Sequence, residues 1–416
     1  MKYTSQRGTK DILPEEVYIW QAMEKTCRKT FELYNYKEIR TPIFEQTELF
    51  SRSIGATTDI VSKEMYTFPD RKGRSLTLRP EETAPVVRAS IQNNLLSKEN
   101  TTKLYYIGPM FRYERPQAGR QRQFHQAGVE VFGSSDPTID AEVILLAEQI
   151  FSRLGLPDLE IDINSVGCSK CRPEYLKKIK AHFADNLKDM CDDCQKRFES
   201  NPLRILDCKE PHCQKFIEKA PATRDTLCPD CKSHFEKLIE LLAGVKYRIN
   251  NRLVRGLDYY TRTTFEIVSK QLGAQNAVCG GGRYDTLVEE LGGSSTPAVG
   301  FAIGLERLVE IIKSKIQNPK SQQGILLYVA VLGEEARKIG FDFILKARKA
   351  GISADMDFIG KGLKAQMKAA DRQKAKYVLI IGDEEIKKNK FILKNMRTAK
   401  QEEASLKEII QKLQII

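Results

Sequence analysis

The chain has 416 residues, of which 41% are hydrophobic and 29% are charged, as in ordinary soluble globular proteins of two or three domains. No window approaches the roughly eighteen consecutive apolar residues of a membrane helix, and the first residues lack the apolar core of a signal peptide, so we expect a cytoplasmic protein. The formal net charge of +12 favours a polyanionic partner such as nucleic acid, although a basic surface also serves solubility alone.

The N-terminal part of the chain predicts helices separated by a β-hairpin. Residues 14–34 predict a helix that begins with a proline, which the first turn tolerates. Residues 63–79 predict a hairpin. A second helix opens after the run 79–83, where Glu81 either complements the helix dipole or takes part in a site.

Two strands joined by an arginine-rich loop give the first indication of a pocket. They are predicted over residues 103–111 and 123–132. Because side chains alternate along a strand, one face of the return strand carries Phe124, Gln126, Gly128 and Glu130, and the other carries Ala127, Val129 and Val131. The mixed face predicts a pocket floor, with the solvent-facing side of an antiparallel sheet as the alternative. Arg112 and Arg120, near the two ends of the loop, favour an anionic ligand.

A cysteine-rich stretch follows a helix that is predicted from Pro137 to about Gly155. It holds three C-x-x-C pairs and one C-x4-C pair, namely Cys168, Cys171, Cys191, Cys194, Cys208, Cys213, Cys228 and Cys231. In a reducing compartment this spacing predicts zinc rather than disulfides, and eight thiolates suffice for two tetrahedral sites. Relics of former sites are the alternative. Histidines 182, 212 and 234 could substitute as ligands, but we expect each to be a surface residue.

Residues 253–261, L-V-R-G-L-D-Y-Y-T, combine an arginine, an aspartate and two tyrosines beside a β-prone run. Alone they predict an edge strand with a solvated Arg255–Asp258 pair. Because neighbouring side chains of a strand point to opposite faces, we expect that Tyr259 and Tyr260 do not both line one pocket.

The next motif, residues 279–285, reads C-G-G-G-R-Y-D and on its own is compatible with a tight turn. A short apolar strand over residues 299–303 then leads into a helix from Leu305. Arg307, near the start of this helix, is either solvated or directed at a phosphate.

The C-terminal part alternates strands and helices after a linker predicted at residues 318–324, which indicates an α/β domain. Its last helix is predicted at about residues 402–413. From Lys361 to the end there are 14 basic and 7 acidic residues, an excess of +7 that exceeds half of the net charge of the chain.

Several of these stretches together resemble the histidyl-tRNA synthetases, a class II aminoacyl-tRNA synthetase family. The segment around Pro42 resembles class II motif 1, residues 111–124 resemble motif 2, and residues 304–307 resemble motif 3. Residues 253–261 and 281–285 are similar to the signatures specific for histidine.

The resemblance implies an α+β fold, with a class II catalytic domain built on an antiparallel sheet flanked by helices. A helical, zinc-type insertion and a C-terminal α/β anticodon-binding domain complete it. The expected boundaries are 1–165 and 247–318 for the two parts of the catalytic domain, 166–246 for the insertion, and 324–416 for the last domain.

The resemblance also implies roles for matching residues. Those expected to bind ATP are Arg112, Glu114, Arg120, Phe124 and Arg307. Those expected to bind histidine are Glu81, Thr83, Gln126, Glu130, Arg255, Tyr259, Tyr260 and Tyr284. Arg255 and Arg112 are expected to act in catalysis, and the loop 115–122 to approach the tRNA acceptor end.

The implied activity is a histidine–tRNA ligase that uses ATP and Mg²⁺, forms a homodimer and charges tRNA(His). The zinc prediction depends on cysteine spacing alone, because many family members lack the full set. One alternative is a synthetase-like regulatory subunit of histidine biosynthesis; such paralogs lack the basic C-terminal domain and usually the intact Arg255 signature. The other, a zinc-knuckle nucleic-acid-binding protein, leaves Gln126, Glu130 and the motif arginines unexplained.

Overall fold

The computed structural model describes residues 2–55, 58–97, 99–117, 119–156, 158–269, 277–315 and 324–415. They belong to two compact units, Met1–Gln317 and Asn318–Ile416. Both units mix helices and strands, and the predicted α+β fold class is confirmed. Most of the predicted linker, residues 318–323, lies outside the described residues.

The first unit is built on one large sheet. Its strands are β1 (Lys37–Glu38), β5 (Thr102–Phe111), β6 (Gln123–Phe132), β7 (Glu160–Ser165), β8 (Tyr247–Ile249), β9 (Thr261–Val268), β10 (Ala277–Arg283) and β11 (Ala298–Gly304). Within the described ranges these eight strands take the order β1-β5-β6-β11-β10-β9-β7-β8. The two outer pairs are parallel and all pairs between them are antiparallel.

A smaller antiparallel sheet is formed by a hairpin and by one strand that precedes the second helix. Its strands are β2 (Phe44–Gln46), β3 (Tyr66–Pro69) and β4 (Ser75–Leu78), and the predicted hairpin is confirmed. The helices of this part are α1 (Pro14–Leu33), α2 (Thr47–Ile54), α3 (Thr83–Gln92), α4 (Pro137–Arg153), α9 (Leu287–Glu290) and α10 (Leu305–Lys315).

The stretch between β7 and β8 is helical. It contains α5 (Arg172–Ala184), α6 (Asp192–Ser200), α7 (Pro211–Ile217) and α8 (Pro229–Leu241), with a 3₁₀ helix over Pro202–Asp207. All four α-helices begin with or just before a proline or an acidic residue, which suits the first turn of a helix.

The hydrophobic core lies on one face of the large sheet. Apolar side chains of α1, α4, α8 and α10 pack there against Ala127, Val129 and Val131 of β6. The alternation predicted for residues 123–132 is therefore confirmed on its apolar side. The opposite face of the sheet is left free of this core, and it is the face on which the polar side chains of β6 lie.

The second unit has a five-stranded sheet among its described residues, in the order β13-β12-β14-β15-β16. Its elements are β12 (Leu327–Val331), α11 (Glu334–Lys349), β13 (Ala354–Met356), α12 (Leu363–Arg372), β14 (Tyr377–Ile381), α13 (Asp383–Lys388), β15 (Phe391–Asn395), β16 (Gln401–Ala404) and α14 (Leu406–Gln414).

The predicted start of the last helix, near residue 402, is wrong. Residues 401–404 extend as β16 and pair with β15, and α14 begins only after Ser405, whose hydroxyl accepts the backbone N–H of Glu408. The Glu408 carboxylate in turn accepts the backbone N–H of Ser405, and such a reciprocal cap marks the start of a helix.

Across the described ranges, no helix combines the length and the apolar character needed to cross a membrane.

Candidate active site and cysteine clusters

A cleft of about 570 Å³ lies over the polar face of the large sheet. Its size is in the usual range for a small-molecule site. All thirteen residues that the sequence pointed to for binding or catalysis line it: Glu81, Thr83, Arg112, Glu114, Arg120, Phe124, Gln126, Glu130, Arg255, Tyr259, Tyr260, Tyr284 and Arg307. They come from the start of α3, from β6 and the loop between β5 and β6, from α10, and from the segments just before β9 and just after β10, so the fold brings distant segments together.

One end of the cleft is lined by acidic side chains and is here called the anionic end. Glu130 on β6 is 1% exposed and accepts hydrogen bonds from the Thr83 hydroxyl, at 2.7 Å, and from the Tyr284 phenol. Burial raises the pKa of Glu130 to about 8, against the lowering effect of these two hydrogen bonds. Gly300 lies opposite Glu130 on β11, where a Cβ atom would collide with the carboxylate.

Two further buried carboxylates lie at the start of α3. Glu81 accepts the backbone N–H groups of Thr83 at 2.8 Å and Ala84 at 2.9 Å, and burial raises its pKa. Glu82 is bound by Arg79 at 2.9 Å and by the Thr41 hydroxyl at 2.7 Å, and burial raises its pKa to about 8. Glu81 therefore caps the helix and lines the cleft at once, so the two interpretations of this residue are compatible.

The other end of the cleft is cationic. The Arg112 guanidinium lies over the Phe124 ring, 5.2 Å from its centroid, and its Nε donates to the Pro80 carbonyl at 2.8 Å. Arg120 contacts the buried Glu114 carboxylate at 2.5 Å. Arg307 donates to the carbonyls of Gly119 and Ala277.

Burial lowers the pKa of Arg307, and the positive charges of Arg120 and Arg112 lower it further, although Glu114 and Glu266 act in the opposite direction. Mutual repulsion between these guanidinium groups favours an anion between them. Phe124 and Glu130 are six residues apart on β6, which places the two ends of the cleft about 20 Å apart along the strand.

Arg255 lies between the two ends, against β10. A Cβ atom at Gly280 would collide with its guanidinium group, so glycine is what allows the close approach. Burial would lower the pKa of Arg255, but the paired Glu266 and the nearby Tyr260 raise it. The solvated Arg255–Asp258 pair, which is the interpretation of this stretch taken alone, does not hold Arg255; its partner is Glu266 on β9.

The expectation that Tyr259 and Tyr260 face opposite ways is wrong. Both line the cleft, with ring centroids 4.8 Å apart, and Tyr259 also packs edge-on against Tyr284 at 5.6 Å. The reason is that residues 253–260 form turns and irregular backbone, and β9 begins only at Thr261. Strand alternation does not apply to this segment.

Several buried polar atoms of the cleft residues have no hydrogen-bond partner within the described part of the chain. They include the Gln126 amide oxygen, the Tyr106 hydroxyl and the Arg255 Nε atom. Since buried polar groups are nearly always satisfied, these atoms indicate where ligand groups bind.

Sequence reasoning missed several residues of the cleft wall, among them Asp59, Tyr106, Arg197, Arg204 and Glu266. Glu266 could have been found, because alternation along β9 sets it on the opposite face from the core residues Phe265 and Ile267. The other four reach the cleft through contacts between distant segments, which no local pattern signals.

The eight cysteines of the insertion gather into two groups. Cluster I consists of Cys168, Cys171, Cys228 and Cys231, and cluster II of Cys191, Cys194, Cys208 and Cys213. In each group the four sulfur atoms lie within 4.8 Å of one another and could hold a metal ion. The first and last C-x-x-C pairs thus combine, and the middle one combines with the C-x4-C pair. All ten cysteines of the chain lie within the described ranges, and none forms a disulfide.

None of the three candidate histidines, His182, His212 and His234, joins these clusters. The expectation that His234 lies on the surface is wrong, because its ring is buried and lies 3.3 Å from the Asp140 carboxylate and 3.2 Å from the Thr263 hydroxyl. Asp140 is also bound by the fully buried Arg283. Helix α8 is thereby tied to α4 and β10 beneath the sheet.

Comparisons with known proteins agree with this geometry. A family model described as "Histidyl-tRNA synthetase" matches residues 8–172 and 213–308, and one described as "Anticodon binding domain" matches residues 327–415. The chain is 52% identical to the histidine–tRNA ligase of Halothermothrix orenii over 416 residues, covering 100% of this chain and 99% of that protein. It is 53% identical to that of Desulfitobacterium hafniense, covering 97% and 95%.

A solved structure of the S. aureus histidyl-tRNA synthetase, without ligands, superposes with a TM-score of 0.83 at 38% identity. The match covers 99% of this chain and 100% of that one.

Proposed function

Since the chain belongs to the histidyl-tRNA synthetase family, we propose which residues of its cleft bind ATP, which bind histidine and which act in catalysis in an ATP-dependent histidine–tRNA ligase. The enzyme activates L-histidine with ATP to histidyl-adenylate and pyrophosphate, then transfers the histidyl group to the 3′ end of tRNA. The separation of charge along the cleft is the observation that carries the proposed roles. Histidine brings a cationic α-ammonium group and ATP brings a polyanion.

The cationic end binds ATP. Arg112, Arg120 and Arg307 bind the phosphate oxygens, because a planar guanidinium stays charged and can bond two oxygens at once. Phe124 offers the apolar face on which adenine stacks. Mg²⁺ keeps several waters and binds through phosphates and one or two carboxylates, so the Glu114 carboxylate at this end suits it. When bound, Mg²⁺ neutralises charge that develops on the phosphates.

The anionic end binds histidine. Glu81 and Thr83 receive the α-ammonium group, and the unpartnered Gln126 oxygen accepts a further hydrogen bond beside it. Glu130 accepts the imidazole N–H, since neutral imidazole offers one donor and one acceptor. Tyr259, Tyr260 and Tyr284 enclose the ring, and Tyr284 holds the Glu130 carboxylate in place.

Arg255 acts where the two substrates meet. The histidine carboxylate attacks the α-phosphorus and pyrophosphate leaves, so negative charge develops around that atom. A guanidinium held in advance against Gly280 and Glu266 stabilises this charge without reorganising during the reaction. Arg112 assists from the phosphate side.

The two cysteine clusters bind zinc. Tetrahedral Zn²⁺ with Zn–S bonds of about 2.3 Å separates its sulfur ligands by roughly 3.8 Å. The Cys168–Cys171, Cys168–Cys228 and Cys191–Cys208 sulfur pairs are all 3.8 Å apart. Four thiolates without an open ligand position are typical of structural zinc.

The tRNA contacts both units. The loop 115–122 approaches the acceptor end, and the basic domain 324–416 reads the anticodon. The parts 1–165 and 247–318 form the catalytic domain around the insertion 166–246, and the segment near Pro42 forms a homodimer in the cytoplasm. The regulatory-subunit alternative is not favoured, because the matched anticodon domain and the Arg255 stretch are both present.

Separate titration of the two substrates tests the division of the cleft. We expect Arg307→Ala to weaken ATP binding and leave histidine binding within about twofold, and Glu81→Gln to do the reverse. Isothermal titration of each variant with histidine and with a non-hydrolysable ATP analogue measures both. Equal losses for the two ligands in both variants would contradict the proposed roles.

A further inference from the structure

The segment that carries Arg255, Tyr259 and Tyr260, residues 253–262, is here called the signature loop. It has irregular backbone where it crosses the cleft wall. Such a segment lacks the ladder of hydrogen bonds that positions strand residues, so other contacts must set its side chains within a fraction of an ångström. Several of the contacts that do so come from the helical insertion.

Cluster II supports the first half of the signature loop through an apolar contact. Val254, the neighbour of Arg255, is buried in the hydrophobic core of the insertion together with Ile205 and Leu206. The same core contains three of the cluster II residues: Cys194, Cys208 and Cys213. The 3₁₀ helix Pro202–Asp207 links α6 to Cys208, so its position depends on the cluster at both ends.

Polar contacts from the same short stretch reach the middle of the loop. The Asn201 amide donates to the Asp258 carboxylate at 2.8 Å. Arg204 lies against Gly256, where a Cβ atom would be 3.0 Å from its Nη1 atom, and contacts Asp59 at 3.4 Å. The backbone N–H of Asp258 donates to the Ile54 carbonyl at 3.1 Å.

Cluster I supports the other half. Arg172 directly follows Cys171, and its largely buried guanidinium donates to the Tyr260 carbonyl. Arg262 exchanges backbone hydrogen bonds with both Val166 and Gly167, each at 2.8 Å, just before Cys168. The two clusters therefore hold the signature loop from its two ends.

We propose that metal bound in clusters I and II positions the histidine-binding side of the active site, with Asn201, Arg204 and Arg172 as the positioning residues that transmit its effect. The inference depends on the zinc sites proposed above and goes beyond them, since it assigns the metal a role in substrate affinity. Metal binding fixes the fold of small cysteine-rich segments, so its loss releases the residues that hold the loop. The arginines that bind the ATP phosphates come from the loop between β5 and β6 and from α10, and their side chains bond to Pro80, Glu114, Gly119 and Ala277, all outside the insertion.

The test compares three full-length variants. Cys208→Ser should lose about one zinc per chain, raise the KM for histidine about tenfold or more, and change the KM for ATP by less than about twofold. Asn201→Ala should keep its zinc. It should raise the KM for histidine about two- to tenfold, because one hydrogen bond is lost. Glu199→Ala, on the exposed side of α6, is the matched control and should change neither.

The measurements are elemental analysis, pyrophosphate exchange with each substrate varied in turn, and hydrogen exchange of residues 253–262, which should lose protection in Cys208→Ser. Cys208→His, which restores a zinc ligand, should recover both metal and the KM for histidine. A parent protein without metal would refute the zinc sites themselves. Loss of zinc with an unchanged KM for histidine would refute only the positioning role. An unchanged KM for histidine in Asn201→Ala would refute the same role. Equal increases of both KM values in Cys208→Ser would show that the whole cleft is disturbed, and would also contradict the positioning role.

Discussion

Substitution of Glu130 by glutamine should weaken histidine binding selectively. The change keeps the shape of the side chain and removes its charge, and the amide can still accept a hydrogen bond from Thr83 or Tyr284, so the fold is retained. A hydrogen bond to a charged group contributes about 1.5–3 kcal/mol. At about 1.4 kcal/mol per factor of ten, the KM for histidine, measured above pH 8 where Glu130 is ionised, should rise roughly 10- to 150-fold.

Histidine-dependent ATP–pyrophosphate exchange measures this, with histidine and ATP varied separately. The KM for ATP should change by less than about twofold, because Glu130 lies at the opposite end of β6 from Phe124. Glu82→Gln is a matched control. Glu82 is as buried as Glu130, and burial also raises its pKa to about 8. Its partners Arg79 and Thr41, however, are not among the described residues of the cleft wall. It should alter stability rather than the KM for histidine. Equal effects of Glu130→Gln on both KM values, or an effect no larger than that of Glu82→Gln, would refute the reasoning.

Four further outcomes are expected. Arg255→Ala should fold and bind both substrates but form adenylate on the order of 10²–10³ times more slowly in single turnover, and a rate within threefold of the parent would exclude its catalytic role. With Glu130 in its proposed role as acceptor of the imidazole N–H, kcat/KM for histidine should rise with pH up to about 8, near the raised pKa of Glu130, and then level. Tyr284→Phe removes a hydrogen bond that lowers the pKa of Glu130, so the inflection should move to higher pH. The ratio of the parent's kcat/KM to that of the variant cancels the titration of histidine itself. Elemental analysis of protein purified without chelator should find close to two zinc ions per chain, whereas metal-free protein with eight titratable thiols and full activity would leave the cysteines as relics. Removal of residues 324–416 should leave adenylate formation intact, strongly reduce transfer to tRNA and weaken the salt dependence of tRNA binding. A dimeric truncated protein that charges tRNA normally would disprove the role of these residues in anticodon binding.

Regular elements with a clear period could be predicted from the sequence. The pair β5–β6 is correct nearly to the residue because β5 is a run of β-prone and aromatic residues and β6 separates its core residues from a mixed face by alternation. Helix α14 was placed too early, since the polar run 401–404 gives no strand signal and pairs only because β15 lies beside it.

The arrangement of the site could be predicted only in part. The motifs identify which residues line the cleft. The sequence nevertheless predicts opposite faces for Tyr259 and Tyr260, because irregular backbone cannot be distinguished from a short strand by pattern alone. The pairing of the cysteines, the burial of His234 and the contact of Arg255 with Glu266 all depend on segments far apart in the chain. Such contacts follow from the tertiary fold and leave no local trace.

The most direct test of the central claim is exchange of labelled pyrophosphate into ATP by the intact protein with histidine as the amino acid. A histidine–tRNA ligase with the site described here should catalyse rapid exchange that requires both histidine and Mg²⁺ and that falls by two orders of magnitude or more in Arg255→Ala. Histidine binding without any exchange, as expected of a regulatory paralog, would contradict the account.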